Sequence, residues 1–155
     1  MEIFDKLNAA GIPCSLKTGD DEVIVPGARH IASTVECLDL SAHYEVAVID
    51  EFQMLRDKER GWAWTQAILG VVANDVYLIG NSSGVDITKK ILSKTQDLID
   101  VKEKSRHSQL KIIENPVNLN EIQSGDAIIV FSRKGVIEWA EYLRDQGKSV
   151  SLIYG

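Results

Sequence analysis

The sequence has little cysteine and no long hydrophobic run, and both absences restrict its class. Among its 155 residues only Cys14 and Cys37 are cysteines, without a CxxC pair. This excludes a disulfide scaffold and a cysteine-rich zinc site, and we expect two buried free thiols in a reducing compartment. The longest apolar run, residues 67–73, is far shorter than the roughly 18 residues of a membrane helix. The first residues contain no apolar stretch typical of a secretory signal, so we expect neither membrane association nor secretion.

The chain also has fewer positively charged than negatively charged side chains. The chain has 17 Lys and Arg residues against 23 Asp and Glu residues, which gives a formal net charge of −6. This balance argues against a free-standing basic nucleic-acid binder. It leaves open a motor that holds a strand through backbone amides and a local groove.

A phosphate-binding loop is missing from these 155 residues. The pattern GxxxxGK(S/T) supplies backbone amides and a lysine to phosphate groups, and the chain has a single Gly-Lys-Ser, at residues 147–149. Tyr142 stands where the first glycine belongs. The tripeptide also lies between a predicted helix and a predicted strand, the reverse of the required order, so we interpret it as a helix stop. The dinucleotide pattern GxGxxG does not occur either.

What the sequence does contain is an alternation of strand and helix patterns, which predicts an α/β fold with parallel strands and right-handed crossovers. The continuous apolar run at 45–49 is typical of a strand buried on both faces. In a predicted helix at 61–73, Trp64 belongs to one apolar face and Trp62 and Leu69 to another, so we expect broad coverage. The other predicted helices are 2–10, 85–93 and 132–147, and the other predicted strands are 12–16, 22–25, 30–38, 75–79, 110–113, 126–131 and 149–154.

The most informative segment follows the apolar strand at 45–49, where Asp50, Glu51 and Gln53 stand close together. In open α/β sheets, ligands bind at the carboxyl ends of strands. In nucleotide-hydrolysing enzymes an acidic residue at such a strand end holds magnesium. Asp50 is the expected magnesium partner, through water, and Glu51 the expected base for the attacking water. The competing interpretation is a simple polar turn that starts a helix.

Residues 46–70 read V-A-V-I-D-E-F-Q-M-L-R-D-K-E-R-G-W-A-W-T-Q-A-I-L-G. This combination of D-E-x-Q with R-D-x-x-R-G-W-A-W-T closely resembles the suppressor-of-var family of superfamily-two RNA helicases. The resemblance implies a RecA-like parallel sheet with flanking helices, of the P-loop NTPase and helicase type. It implies that 1–104 is the C-terminal portion of a first domain, and that 105–155 is a connector and the start of a second. A phosphate loop is then expected before Met1, and an arginine-bearing motif after Gly155.

The resemblance also implies roles for individual residues. Gly80 belongs to the segment 80–83 that couples hydrolysis to strand movement, although Asn81 and Ser82 depart from the family's usual Gly-Glu-Pro. Trp62 and Trp64 are expected in the core rather than as base-stacking platforms. The roles of Arg56, Asp57 and Arg60, in an ion-pair network or along the site, stay open. The implied catalytic residues are Asp50, Glu51 and Gln53. The implied ATP and magnesium site consists of Asp50 and Glu51, with Gly80 beside the nucleotide. The implied nucleic-acid contacts are Thr18, Gly19, Ser33, Thr34, Phe131 and Ser132, and Glu36 belongs to the same motif as Ser33 and Thr34.

The resulting hypothesis is an ATP-dependent RNA helicase that uses ATP and magnesium. The resemblance implies single-stranded or duplex RNA as substrate, leaves DNA open, and implies an exoribonuclease partner in a bacterial cytosol or a mitochondrial matrix. Without a phosphate loop, we expect the 155 residues alone to bind ATP weakly and to hydrolyse it poorly. One alternative is a remnant that binds nucleic acid or protein without catalysis. Another is a different magnesium-dependent phosphohydrolase, which would need further carboxylates at neighbouring strand ends.

Overall fold

The structure is a computed structural model that describes residues 2–95, 97–105 and 110–154. The chain divides into two compact units, Met1–Ser105 and Arg106–Gly155. The first unit contains most of the regular structure, and the second contains one α-helix among its described residues. In chain order the elements are α1 (Glu2–Ala9), β1 (Cys14–Lys17), β2 (Glu22–Val23), β3 (His30–Ser33), β4 (His43–Ile49), α2 (Gly61–Gly70), β5 (Val72–Leu78), α3 (Val85–Leu92) and α4 (Arg133–Asp145).

The strands of the first unit form two small sheets, with parallel pairing in each. One sheet has the order β2-β1-β3, with β1 antiparallel to β2 and parallel to β3, so that Lys17 lies opposite Ser33. In the other, β4 and β5 run parallel and Ile49 lies opposite Leu78. The predicted α/β class, with parallel strands and flanking helices, is confirmed. In each sheet the carboxyl ends of two parallel strands meet at one edge.

The core of the first unit lies between α2, β4 and the 3-10 helix Phe52–Arg56. Trp64, Ala67 and Ile68 are buried at i, i+3 and i+4 on one face of α2 and pack with residues of the β4 end and the 3-10 helix. Burial of a large apolar side chain contributes about 1.5–3 kcal/mol, so this cluster fixes the position of the loop after β4. The cluster consists of Ile49, Phe52, Leu55, Ala63, Trp64, Ala67 and Ile68.

Two expectations of broad burial were wrong. Trp62 is 58% exposed and Leu69 is 47% exposed, so only one face of α2 is covered. In β4, Ile49 faces the core, whereas Val46 and Val48 are 52% and 60% exposed. Alternate residues of a strand point to opposite faces, and among the described residues helix α2 packs on one face of β4 only.

The predicted strand at 30–38 was too long. Strand β3 ends at Ser33, and a 3-10 helix, Val35–Cys37, follows. The Thr34 amide donates to the Lys17 carbonyl (3.1 Å), the last backbone bond of this pairing before the chain turns. Both cysteines are free: Cys14 is buried as expected, and Cys37 is half-buried.

In the second unit, only the helix prediction was correct. Helix α4 begins after Ser132, whose Oγ accepts a hydrogen bond from the Gly135 amide (3.1 Å). Gly147, with φ +77°, ends it, which confirms the Gly-Lys-Ser tripeptide as a helix stop. The strands predicted at 110–113, 126–131 and 149–154 are not formed within 110–154. An apolar run becomes a strand only beside a pairing partner, and none of the three has one in that range.

No helix in the described part of the chain is long and apolar enough to cross a membrane.

Candidate functional site

The acidic loop begins where β4 ends. Asp50 and Glu51 follow Ile49 directly, and both are exposed at the carboxyl edge of the β4–β5 sheet. Glu51 adopts a left-handed conformation, with φ 53° and ψ 38°. This sharp reversal lets the buried Phe52 turn back into the core, where its amide donates to the Ile79 carbonyl (3.1 Å). The reversal thus places the two carboxylates at the edge where ligands bind in open α/β sheets.

Gln53 joins the acidic loop to the segment after β5. Its Nε2 donates to the Glu51 carboxylate, and its Oε1 accepts a hydrogen bond from the Asn81 amide (2.9 Å). Arg56 makes a second connection, since its Nη1 donates to the Ser83 carbonyl (3.2 Å). The sequence placed Gln53 and 80–83 in the site separately, and the structure brings them into direct contact.

Gly80 allows this close approach. A Cβ atom at this position would lie 2.9 Å from Phe52 Cδ1 and 3.1 Å from the Phe52 amide nitrogen, and would collide with Gln53 Oε1. Real side chains avoid such distances, so glycine is required for the two segments to pack. Asn81 shapes the following turn, because its Oδ1 accepts a hydrogen bond from the Ser83 amide (2.9 Å). Asn81 and Ser82, which depart from the expected Gly-Glu-Pro, therefore still form an ordered turn beside Gln53.

Asp50 is fixed through its backbone and its side chain. Trp64 Nε1 donates to the Asp50 carbonyl (2.9 Å), and the Glu51 amide donates to Asp50 Oδ1 (2.8 Å). Oxygen donors of this kind suit magnesium, which in nucleotide sites takes one or two carboxylates together with substrate phosphates and waters. Among the described residues no group of three or more His, Cys, Asp or Glu side chains could hold a metal.

Four of the residues expected to contact nucleic acid share a second edge, at the carboxyl ends of β1 and β3. Thr18 follows β1, and its Oγ1 accepts a hydrogen bond from the Asp21 amide (2.8 Å). Gly19 is exposed, with open space around it. Ser33 and Thr34 are exposed on the neighbouring strand end. The structure thus gathers these four residues, which lie in two separate stretches of sequence.

The remaining expected contacts behave differently. Phe131 is fully exposed, and Ser132 Oγ is occupied by the capping bond at the start of α4. Glu36 does not stand free beside Ser33 and Thr34, because it accepts hydrogen bonds from Arg60 Nη2 (2.7 Å) and Nε (3.2 Å).

The open question about the charged residues after the acidic loop is answered by their contacts. Asp57 Oδ1 accepts hydrogen bonds from the amides of Arg60 (2.7 Å) and Glu59 (2.9 Å), so it orders the turn that leads into α2. The hydrogen bond from the Arg60 amide, and to a smaller extent that from the Glu59 amide, holds the pKa of Asp57 below its usual value. Arg60 pairs with Glu36, and its guanidinium also lies over the Trp64 ring, 5.5 Å from the centroid. The two tryptophans differ in burial: Trp64 lies in the core as expected, whereas Trp62 is exposed.

A parallel α/β fold that carries paired carboxylates at a strand's carboxyl end is an arrangement that nucleotide-dependent helicase domains share with other nucleotide-hydrolysing enzymes. Residues 1–104 match the family described as the DEXQ-box helicase domain of Suv3, and the chain belongs to this family. The resemblance seen in the sequence is therefore confirmed.

Curated relatives agree along almost the whole chain. The mitochondrial ATP-dependent RNA helicase SUPV3L1 of Mus musculus is 38% identical over 99% of this chain, which covers 20% of that relative. The mitochondrial SUV3 homolog of Caenorhabditis elegans is 38% identical over 99% of the chain and 22% of its own length. The mitochondrial ATP-dependent RNA helicase SUV3L of Oryza sativa is 42% identical over 89% of this chain, which covers 19% of that relative. The chain thus spans about a fifth of the length of these relatives.

Proposed function

We propose that this chain is part of an ATP-dependent RNA helicase and supplies the magnesium and water side of its ATP site. One observation carries the proposal: Asp50 and Glu51 stand exposed at the carboxyl edge of β4, and Gln53 holds Glu51 while it contacts the segment after β5. The relatives' names, which describe ATP-dependent RNA helicases, support the same function.

In this proposal each residue of the loop has a distinct role. Asp50 holds hydrated magnesium, and the bound ion neutralises charge on the transferred phosphate. Glu51 accepts a proton from the attacking water, as a general base does. Gln53 orients the Glu51 carboxylate through its Nε2 bond. Gly80 lets the segment 80–83 follow the position of Gln53, so a change at the nucleotide is transmitted to that segment.

The nucleic-acid site is proposed at the other edge. Thr18, Gly19, Ser33 and Thr34 would hold the sugar-phosphate backbone through amides and hydroxyls, which suits a chain with net charge −6. Phe131 and Ser132 are proposed as separate nucleic-acid contacts within the second unit. We assign 1–104 to the C-terminal portion of a first RecA-like domain, and 105–155 to a connector and the start of a second.

The cellular setting follows from the same proposal. RNA, single-stranded or duplex, is the proposed substrate, and DNA and an exoribonuclease partner remain hypotheses to be tested by binding. The relatives are named as mitochondrial proteins, which supports a mitochondrial matrix location, and the bacterial cytosol is the alternative location.

The decisive experiment is RNA-stimulated ATP hydrolysis by a protein that joins this segment to a phosphate-binding loop and to a complete, arginine-bearing second domain. Removal of the general base in Glu51→Gln should lower kcat by about 100- to 10,000-fold while ATP binding persists. Glu138→Gln, on the exposed face of α4, serves as the matched control and should behave like the wild type. Undiminished turnover in Glu51→Gln would show that Glu51 has no role in the reaction.

A further inference from the structure

The motif R-D-x-x-R-G-W-A-W-T has no part in the function proposed so far, although it follows the acidic loop directly. Two of its members, Arg60 and Trp64, each reach one of the two candidate edges of the first unit. Arg60 reaches the segment after β3, where it binds Glu36 with two nitrogens. Trp64 reaches the loop after β4, where its indole donates to the Asp50 carbonyl (2.9 Å).

These contacts form one unbroken series. Glu36 lies in the 3-10 helix Val35–Cys37, which begins directly after Thr34. The Arg60 guanidinium joins the Glu36 carboxylate and also lies 5.5 Å from the centroid of the Trp64 ring. The Trp64 side chain is 8% exposed and packed in the core, so it cannot shift independently of the Asp50 backbone.

We infer that Glu36, Arg60 and Trp64 are positioning residues that link the edge of Ser33 and Thr34 to the backbone of Asp50. This inference rests on the proposed function and deepens it, because it names the path by which a strand bound at one edge adjusts the carboxylates at the other. The link works in both directions, since coupling between two binding sites is reciprocal.

The residue types fit positioning better than stability. The ion pair is open to solvent, with side-chain exposures of 60% for Arg60 and 30% for Glu36, and exposed pairs contribute little to stability. Arginine has a planar fork that can pair with a carboxylate while its face stacks on an indole, and lysine cannot do both. The hydrogen bond from Arg60 holds the pKa of Glu36 below its usual value, so the carboxylate stays ionised to a lower pH than an unpaired glutamate would.

The first test examines the link without RNA or nucleotide. In the 155-residue chain, Glu36→Gln and Arg60→Lys should both move the NMR resonances of the Trp64 indole N–H and of the Asp50 and Glu51 amides. Glu2→Gln, which breaks the exposed Lys6–Glu2 pair on α1, is the matched control and should leave these resonances in place. Unmoved resonances in Glu36→Gln would overturn the inference whether or not the protein is a helicase.

The second test separates positioning from a purely structural effect. In the protein joined to a phosphate-binding loop and to an arginine-bearing second domain, the ratio of ATP turnover with RNA to turnover without RNA should fall about fivefold in Glu36→Gln and in Arg60→Lys. The double variant should fall no further than either single one, because both changes break the same link. A structural loss would lower both rates equally and leave the ratio unchanged, and that result, or additive losses, would refute the link. Absence of any hydrolysis in the wild type would instead defeat the proposed function, and the resonance test would still decide the link.

Discussion

At Glu51 a left-handed backbone presents a carboxylate at the end of a strand. Glu51 is the one non-glycine residue with positive φ among the described residues. A left-handed conformation at such a residue costs on the order of 1–3 kcal/mol and is retained where the surroundings enforce it. Here Phe52 is anchored in the core on one side and Gln53 holds the carboxylate on the other. The backbone strain therefore arises because the chain presents an acid at the end of β4 and reverses direction at the same residue.

Two variants that both lack the Glu51 carboxylate should differ in stability. Asparagine tolerates the left-handed conformation and valine, which is β-branched, does not. Glu51→Val should lower the free energy of unfolding by about 1–2 kcal/mol relative to Glu51→Asn. Urea unfolding of the two variants measures this difference. Equal stability would mean that residue 51 does not hold the left-handed turn in solution.

At the scale of single residues, the sequence indicated which residues belong to the candidate site but not which contacts join them. Asp50, Glu51 and Gln53 stood out because an apolar strand ends abruptly in acids. The bond between Gln53 and Asn81 depends on β4 lying beside β5 with Ile49 opposite Leu78, which no local pattern specifies. The contact of Glu36 with Arg60, 24 residues apart, depends on tertiary packing in the same way.

Among the elements, helices were predicted better than strands because a helix satisfies its own backbone. The periodicity placed α2 and α3, and the Ser132 cap placed α4. The strands predicted at 126–131 and 149–154 were wrong, since strand formation depends on a neighbour that the local sequence does not reveal. Helical spacing placed the two tryptophans of α2 on different faces, since residues two apart point to nearly opposite sides of a helix. Both faces were expected to be covered, but only the face of Trp64 is buried.

The two tryptophans provide a matched test of the α2 packing. Trp64→Ala removes a buried ring and its bond to the Asp50 carbonyl, so it should lower the free energy of unfolding by about 3–5 kcal/mol. Trp62→Ala changes an exposed residue of the same helix and should cost at most about 1 kcal/mol. Denaturant unfolding followed by circular dichroism compares them. Similar losses for the two would contradict the burial described for α2.

The turn before α2 should make stability depend on pH. The folded pKa of Asp57 lies below its ordinary value of 3.8 because of the bonds from the Arg60 and Glu59 amides. A depressed pKa means that the carboxylate stabilises the fold above the unfolded-state pKa, and that this contribution is lost as pH falls through the folded value. Asp57→Asn should therefore be less stable than the wild type at pH 6, and the difference should shrink below about pH 4. A difference that stays constant between pH 6 and pH 3 in urea titrations would contradict this.

For the whole molecule, the first unit presents two strand-end edges, and the contacts of Glu36, Arg60 and Trp64 run between them. The acidic composition argued against a free-standing basic nucleic-acid binder, and the family resemblance supplied the class of protein. Neither could show that Thr18, Gly19, Ser33 and Thr34 share one edge, because this follows from the pairing of β1 with β3. The proposed function therefore requires both edges, the acidic loop for the nucleotide and the edge of β1 and β3 for the nucleic acid.

The most direct test places a metal–nucleotide complex against that loop. Manganese, used with ATP in place of magnesium, broadens NMR resonances near its binding site even when binding is weak, so the 155-residue chain suffices. We predict selective broadening at the amides of Asp50, Glu51, Gln53 and Gly80, and its loss in Asp50→Asn. Broadening centred elsewhere, or unchanged in Asp50→Asn, would contradict the assignment of this loop to the metal and nucleotide.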